Sequence, residues 1–255
     1  MTMPPMEAEA VLIDALSRDI GVRADTPDDP VDRWNVLRAL MNVRGPGPVP
    51  DDILRLQDGL LSGISEERGI TDADDLEFRD GISLWKGDIT TLRCDAIVNA
   101  ANSGMLGCFV PCHRCIDNAI HTYAGMQLRL ECARRMGGRR APVGGALVTD
   151  AYNLPCRRVI HTVGPIVEGS VTPGDEAALR SCYISCLEAA EAEGLRTVAF
   201  CCISTGEFHF PNRPAAEIAV STVRGFLAEH PDMRVVFDVF KEEDHDIFRE
   251  LLGRD

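Results

Sequence analysis

From residue 81 onward, the chain alternates short apolar runs with longer segments of helical periodicity. Several of the runs are rich in Val and Ile, which is typical of strands, some of them buried on both faces. The predicted strands cover residues 82–85, 96–99, 146–149, 159–162, 197–203 and 235–240. Strands that alternate with helices predict a three-layer α/β/α sandwich, in which ligands bind beyond the carboxyl ends of the strands.

Helical periodicity fills the gaps between these strands. The apolar positions between residues 116 and 133 share one helical face, and Gly137-Gly138 is expected to end that helix. The remaining predicted helices have an apolar face over residues 179–187 that closes at Gly194, a start at Pro214, and a short span over residues 246–252.

Residues 1–80 have a different pattern and are predicted to form a helical N-terminal extension. Three short apolar stripes with helical spacing lie at residues 11–16, 34–41 and 53–61. A Gly-Pro-rich run separates the second stripe from the third, and residues 71–75 are polar enough to be a solvated connection. We interpret the extension as a cap packed on a main domain of residues 81–255, in preference to an independent module.

The composition of the 255 residues, 45% hydrophobic and 26% charged, excludes wholesale disorder. The net charge of −14 is concentrated in the extension, and such a surface repels phosphate backbones, so we expect no nucleic-acid partner. No apolar run approaches the length of a membrane span, and no basic segment precedes an apolar one at the N-terminus. We therefore expect a cytoplasmic protein without a membrane partner.

Three polar loops follow predicted strands and carry the candidate chemistry. Asp88, after the first strand, offers a carboxylate acceptor for an amino group or a hydroxyl. Asn99 and Asn102, at the end of the second strand, place two amides beside small residues that let a ligand approach the backbone. Ser204-Thr205-Gly206 precedes a helix, and its N–H groups suit a phosphate. Each loop alone is also compatible with an ordinary turn, so only their combination is specific.

The ten cysteines all lie between residues 94 and 202, and one loop gathers Cys108, Cys112, His113 and Cys115. Zinc takes thiolate and imidazole ligands tetrahedrally, and a catalytic zinc site leaves one position open. Cys108, His113 and Cys115 supply three such ligands, whereas a fourth thiolate from Cys112 would close the site and make the metal structural. Neighbours in an extended loop point in opposite directions, so we favour three ligands.

Taken together, these runs resemble the macrodomain family, whose members bind ADP-ribose. The resemblance covers roughly residues 81–252. It rests on Gly-Asp-Ile-Thr at 87–90, Asn-Ala-Ala-Asn at 99–102, Val-Ile-His-Thr-Val-Gly-Pro at 159–165 and Ser-Thr-Gly-Glu-Phe at 204–208. It implies a three-layer α/β/α fold with a mixed central sheet. The ligand-binding residues implied by the resemblance are Asp88 and Ile89 for the adenine, Asn102 for the distal ribose, and Ser204, Thr205, Gly206, Glu207 and Phe208 for the diphosphate and distal ribose.

Residues 106–117 replace the glycine-rich run of most macrodomains. This departure, together with residues 37–42, is similar to a zinc-containing branch of microbial macrodomains encoded near class M sirtuins. The similarity implies one Zn²⁺ per chain on Cys108, His113 and Cys115. It also implies ADP-ribose and mono-ADP-ribosylated proteins as partners, with a class M sirtuin and its lipoylated carrier protein as further candidates.

The first functional hypothesis is a zinc-dependent hydrolase that removes mono-ADP-ribose from protein side chains. Asp117 matches an acidic position that other hydrolytic macrodomains use beside the distal ribose, where it would act as a base or order a water. The alternative for Asp117 is a helix cap that accepts backbone N–H groups. Asn102 would orient the ribose, and Glu207 is a second acidic candidate. The competing hypotheses are a reader that binds ADP-ribose without cleaving it and a deacetylase of O-acetyl-ADP-ribose.

Overall fold

A six-stranded mixed sheet forms the centre of the computed structural model, which describes residues 3–253. The termini of the two predicted units, residues 1–2 and 254–255, lie outside the described residues. The strands are β1 (Thr71–Asp72), β2 (Ile82–Lys86), β3 (Leu92–Arg93), β4 (Ala96–Ala100), β5 (Ala146–Asp150), β6 (Arg158–Thr162), β7 (Thr197–Phe200) and β8 (Arg234–Val239). The central order is β2-β8-β7-β4-β6-β5, and every neighbouring pair is parallel except β5 with β6.

Helices flank this sheet, as the alternating sequence pattern predicts. They are α1 (Pro5–Ile20), α2 (Pro30–Val43), α3 (Asp51–Arg68), α4 (Ile116–Ala124), α5 (Met126–Met136), α6 (Pro173–Ala192), α7 (Asn212–Glu229) and α8 (Glu242–Leu251). Helix α7 packs between α6 and α8, while α4 packs against α5 and against β4. The predicted α/β fold with a mixed sheet is confirmed. Within residues 3–253, no helix combines the length and the apolar character that a bilayer crossing requires.

Helices α1, α2 and α3 build a small core of their own. Its buried members are Leu12, Ile13, Leu16, Leu37, Leu40, Met41, Leu60 and Leu61, together with Met126 from α5. Arg129 of α5 fastens this unit, because its Nη1 atom donates to the carbonyl oxygens of Met41 and Asn42 at 2.9 and 3.0 Å. The extension therefore shares both apolar and polar contacts with the main unit.

Gly125 divides the segment that periodicity predicts as one helix over residues 116–133. The backbone at Gly125 has φ of 94°, which ends α4 and begins α5. A Cβ atom at this position would collide with the side chain of Gln57, whose Oε1 accepts from Met126 N at 2.9 Å. The prediction of a single helix is wrong, because the contact with Gln57 of the extension favours an interruption at Gly125. The spacing of apolar residues gives no sign of this interruption.

Other boundaries also differ from the predictions. The strand predicted over 197–203 ends at Phe200, the helix predicted from Pro214 begins at Asn212, and the last helix begins at Glu242. The interpretation of residues 71–75 as a solvated connection is right for the exposed Asp74 and Asp75 but wrong for the rest, since Thr71–Asp72 pairs with Leu92–Arg93 and Ala73 is buried.

Candidate functional site

The three candidate loops converge at one edge of the sheet. Strands β2, β4 and β7 run parallel to one another, so the loops that follow them leave from the same edge. The early end of β7 at Phe200 adds residues 201–203 to the third loop. Ligands of parallel α/β sheets bind at this edge, and the structure thus brings together the residues that the sequence singled out.

Asp88 caps the short 3-10 turn Ile89–Thr91. Its Oδ1 accepts from the backbone nitrogen of Thr90 at 2.9 Å and from the Thr90 hydroxyl at 2.6 Å, and its Oδ2 accepts from Arg68. The Asp88 side chain is 40% exposed, so the carboxylate is accessible to a ligand although its orientation is fixed.

Two further residues lie in this part of the site, Asp238 in β8 and Phe240 immediately after it. Neither was a candidate from the sequence. Asp238 is buried, and burial, followed by the neighbouring charge of Asp88, raises its pKa well above the ordinary value. Phe240 follows β8 at the level of the Gly87–Asp88 turn and is 78% exposed. An exposed aromatic ring at this edge is suited to stack on a base.

The loop after β7 is strained where it turns. Ser204 has φ of 65°, and its carbonyl oxygen accepts from Phe210 N at 3.0 Å. Within the described part of the chain, the buried Ser204 hydroxyl has no hydrogen-bond partner. A Cβ atom on Gly164 would overlap this hydroxyl, so glycine is required there for the close approach of the two loops. Phe208 packs against a small apolar cluster that includes Ala101 and Met105 from the loop after β4.

Cys108, His113 and Cys115 form a half-buried cluster whose ligand atoms all lie within 4.8 Å of one another. The Sγ atom of Cys108 and the Nδ1 atom of His113 are 3.6 Å apart. Tetrahedral zinc, with bonds near 2.3 Å to sulfur and 2.0–2.1 Å to nitrogen, separates such atoms by about 3.6 Å. The donor set and its spacing therefore fit one zinc ion.

Cys112 belongs to the same loop but faces away from the cluster. Its backbone has φ of 52°, its nitrogen donates to Asn42 Oδ1 at 2.9 Å, and its thiol lies 3.3 Å from the carbonyl oxygen of Asn35. Both partners are residues of α2. The orientation agrees with the expectation that Cys112 is not a zinc ligand.

His113 also joins the metal-capable cluster to the loop after β7. Its Nε2 lies 3.7 Å from Glu207 Oε1, on the opposite side of the ring from the nitrogen that faces Cys108. A carboxylate at the second nitrogen of a ligating imidazole fixes the tautomer and orients the ring. Glu207, predicted as a ligand-binding residue, is placed where it can support His113.

Asp117 is buried at the start of α4, behind the cluster. Its Oδ1 accepts from Asn99 Nδ2 at 2.8 Å, and its Oδ2 accepts from Asn102 Nδ2 at 3.1 Å. Burial raises the pKa of this carboxyl to about 6, against the opposing effects of these amides and of Arg129. The interpretation of Asp117 as the cap of α4 is wrong, because the thiol of Cys115 caps that helix.

Asn102 links the carboxylate to the loop that carries the cluster. Its Nδ2 donates to the carbonyl oxygen of Gly107 at 3.0 Å as well as to Asp117, and its Oδ1 accepts from Gly104 N at 2.9 Å. The amide thus fixes the path of the chain from β4 toward Cys108 while its own side chain stays half-buried.

A buried polar chain lies behind Asp117, and of its members only Asn99 was a candidate ligand-binding residue from the sequence. Asn99 pairs with His161 across β4 and β6, and its Nδ2 lies 3.0 Å from His161 Nδ1. The other ring nitrogen of His161 lies 3.0 Å from the Thr149 hydroxyl. His161 is therefore a buried histidine with a hydrogen-bond partner at each ring nitrogen.

His121, Cys132 and His161 form a second group whose atoms could hold a metal. This group is completely buried, and His161 already uses both nitrogens in hydrogen bonds with Asn99 and Thr149. Neither ring nitrogen of His121 has a hydrogen-bond partner among the described residues, although Asp117 Oδ1 is 3.6 Å away. A third, more exposed group consists of Glu242, His245 and Asp246 on α8. Of the two groups that contain cysteine, the half-buried one beside the loops is accessible to an ion and a substrate.

Comparison with known proteins identifies the family. Residues 98–219 match the family described as Macro domain. A protein of Treponema medium named protein-ADP-ribose hydrolase is 49% identical over 235 residues, which are 89% of this chain and 90% of the relative. The Trypanosoma brucei macrodomain solved with ADP-ribose has a TM-score of 0.64 and 30% identity, over 96% of this chain and 95% of that chain. The Oceanobacillus iheyensis macrodomain solved with ADP has a TM-score of 0.63 and 36% identity, over 69% of this chain and 93% of that chain. Similarity of this extent over most of the chain shows that the protein belongs to the macrodomain family.

Proposed function

We propose that this protein hydrolyses the bond between ADP-ribose and a modified protein side chain and releases free ADP-ribose. The observation that carries the proposal is the contact of His113 with Glu207, at which the metal-capable cluster meets the loop expected to bind the diphosphate. The name of the Treponema medium relative, protein-ADP-ribose hydrolase, supports the same reaction.

The nucleotide would lie across the three loops. Asp88 and Ile89 would hold the adenine, with the exposed ring of Phe240 available for stacking. The N–H groups of the Ser204–Phe208 loop would face the diphosphate, and the absence of a side chain at Gly206 leaves the backbone open to it. This placement brings the distal ribose to the end of the site that contains Asn102 and the metal-capable cluster.

Asn102 and Asp117 would act on the distal ribose. Asn102 would orient the sugar through its amide, which Asp117 and the Gly107 carbonyl already hold in place. Asp117 would order the attacking water or accept its proton as the bond to the protein side chain breaks. Its position between two amides, rather than an exposed loop location, would keep that carboxylate in a single orientation.

Cys108, His113 and Cys115 would hold one zinc ion, and Glu207 would orient the imidazole of His113 from its other nitrogen. Bound zinc supplies Lewis-acid polarisation of an oxygen and a fixed template for the reacting groups. Three ligands leave one of the four tetrahedral positions for a water or a substrate oxygen.

We also propose a cellular location, partners and a domain organisation for the enzyme. The protein would act in the cytoplasm as a member of the branch associated with class M sirtuins, with the sirtuin and its lipoylated carrier protein as partners. The helical extension of residues 1–80 would act with the macrodomain of residues 81–255 as one catalytic unit.

The test compares two cysteines of the same loop. The purified full chain, Cys115→Ser and the matched control Cys112→Ser are each analysed for zinc and incubated with a mono-ADP-ribosylated protein. We expect about one zinc per chain and release of ADP-ribose from the wild type and from Cys112→Ser, and loss of both from Cys115→Ser.

Two other outcomes separate the competing hypotheses. Equal losses for the two variants would indicate a closed four-ligand site and contradict an open zinc. A protein that binds ADP-ribose with its zinc in place but hydrolyses no linkage would be a reader.

A further inference from the structure

The last residue of the extension's third helix reaches the loop after β2. Arg68 ends α3, and its Nη2 donates to Asp88 Oδ2 and to the Thr90 hydroxyl, the latter at 2.9 Å. A side chain of the extension thus binds directly to the carboxylate that the proposed function assigns to the base of the nucleotide.

The guanidinium of Arg68 lies over the ring of Tyr123, which itself stacks on Trp34. Its central carbon lies 3.9 Å from the centroid of the Tyr123 ring, and Trp34 stacks on Tyr123 with 6.1 Å between centroids. Trp34 lies on α2 and Tyr123 on α4. A cation over an aromatic face loses little freedom when it binds a carboxylate, because its position is already restricted.

A second carboxyl group lies close to Asp88. Asp238 lies buried next to it, and within residues 3–253 its Oδ1 has no hydrogen-bond partner. The other cation of the loop, Lys86, pairs with Glu242. Arg68 therefore provides the positive charge that faces Asp88, which would otherwise stand beside a second carboxyl group.

The existing hydrogen bonds of Asp88 also determine which acceptor positions of its carboxylate are free to bind a ligand. A carboxylate offers about four acceptor directions, and Thr90 and Arg68 take three of them. With the carboxylate fixed in this way, the remaining direction and the exposed side of the group are available to an amino group on a base.

We propose that Arg68 is a positioning residue of the base subsite, through which the helical extension becomes part of the nucleotide site. The inference rests on the proposed function, since Asp88 is assigned to the base there. It predicts that loss of Arg68 weakens the binding of ligands that carry an adenine and leaves the binding of a base-free sugar phosphate unchanged.

The experiment measures the affinities of the zinc-loaded full chain for AMP, ADP-ribose and ribose 5-phosphate by calorimetry. Arg68→Ala should lower the affinities for AMP and ADP-ribose to the same extent, about tenfold. This is the low end of the effect of losing one hydrogen bond to a charged group. Arg68→Lys should restore part of the loss, because it keeps the charge but not the planar guanidinium that lies over Tyr123. Arg55→Ala, at an exposed arginine of the same helix, is the matched control and should bind as the wild type does.

A double-mutant cycle separates positioning from general damage. Once Asp88→Ala is present, adding Arg68→Ala should have little further effect on AMP affinity, because Arg68 acts through that carboxylate. Additive losses, unchanged or tighter AMP binding in Arg68→Ala, or an equal loss for ribose 5-phosphate would overturn the inference. A wild type that binds neither AMP nor ADP-ribose would instead contradict the proposed function itself.

Discussion

His161 gives the fold a defined sensitivity to mild acid. The ring is fully buried in β6, and the Asn99 amide donates to its Nδ1, which leaves the proton on Nε2 facing Thr149. The hydrogen bond from Asn99 therefore needs the neutral ring, whereas Nε2–H could still donate to Thr149 after protonation. Burial lowers the pKa of His161 to about 4. The change that tests this is His161→Gln, which retains an acceptor and a donor but does not titrate.

The magnitude follows from the two protonation states. An unfolded histidine has a pKa of about 6.5, so below that pH the unfolded chain binds a proton that the native ring does not. Stability is fully present above pH 6.5 and is lost as the pH falls toward 4. Between pH 8 and pH 5 the loss from His161 alone amounts to about 2 kcal/mol, out of about 3 kcal/mol for the complete shift of the pKa from 6.5 to about 4.

The assay is urea unfolding of wild type and His161→Gln at pH 8 and pH 5, under reducing conditions. The other titratable groups are present in both proteins, so the difference between the two proteins reports His161 together with its charge interaction with the neighbouring His121. We expect the free energy of unfolding of the wild type to fall by about 2 kcal/mol more than that of the variant. Equal falls in the two proteins would refute the assignment of a neutral, hydrogen-bonded His161.

Two further predictions concern the ligand and the metal. Asp88→Ala should weaken ADP-ribose binding by about 1–3 kcal/mol in calorimetry and leave the zinc content unchanged, because Asp88 is placed at the adenine end; unaltered affinity would contradict that placement. Removing zinc with a chelator, or His113→Ala, should reduce hydrolysis far more than ADP-ribose affinity, because a Lewis acid acts most where charge develops in the transition state. Hydrolysis that persists after verified metal loss would leave Asp117 as the main catalytic group.

The sheet could be predicted from sequence because its signal is local. The runs that form β4, β6 and β8 each contain consecutive Val, Ile or Phe residues and are buried along nearly their whole length, as strands covered on both faces are. The break at Gly125 could not be predicted, since it depends on Gln57, almost seventy residues earlier in the chain. The same holds for Arg68, whose partner Asp88 belongs to a different unit.

In the candidate site, too, features formed by residues close in sequence could be predicted, and features formed by residues far apart could not. The cluster Cys108, His113 and Cys115 is recognisable because its ligands fall within eight residues. The link from Asn99 to His161 depends on the register of β4 with β6, which no local pattern specifies. The hydrogen bond that Asp117 accepts from Asn99 depends on how α4 packs against β4, which no local pattern specifies either.

The loop of the cluster has supports other than a metal ion, and this bears on the expected separation of binding from turnover. Arg38 donates to the carbonyl oxygen of His113 at 2.9 Å and to Asn118 Oδ1 at 2.8 Å, and Asn42 accepts from Cys112 N at 2.9 Å. Asn118 in turn donates to the carbonyl oxygen of Val110 at 3.0 Å. Because these bonds tie the loop to α2 and α4, loss of zinc should leave its path largely intact and the nucleotide loops uncovered. The extension thus contacts both ends of the site, through Arg68 at the base and through Arg38 at the metal-capable loop.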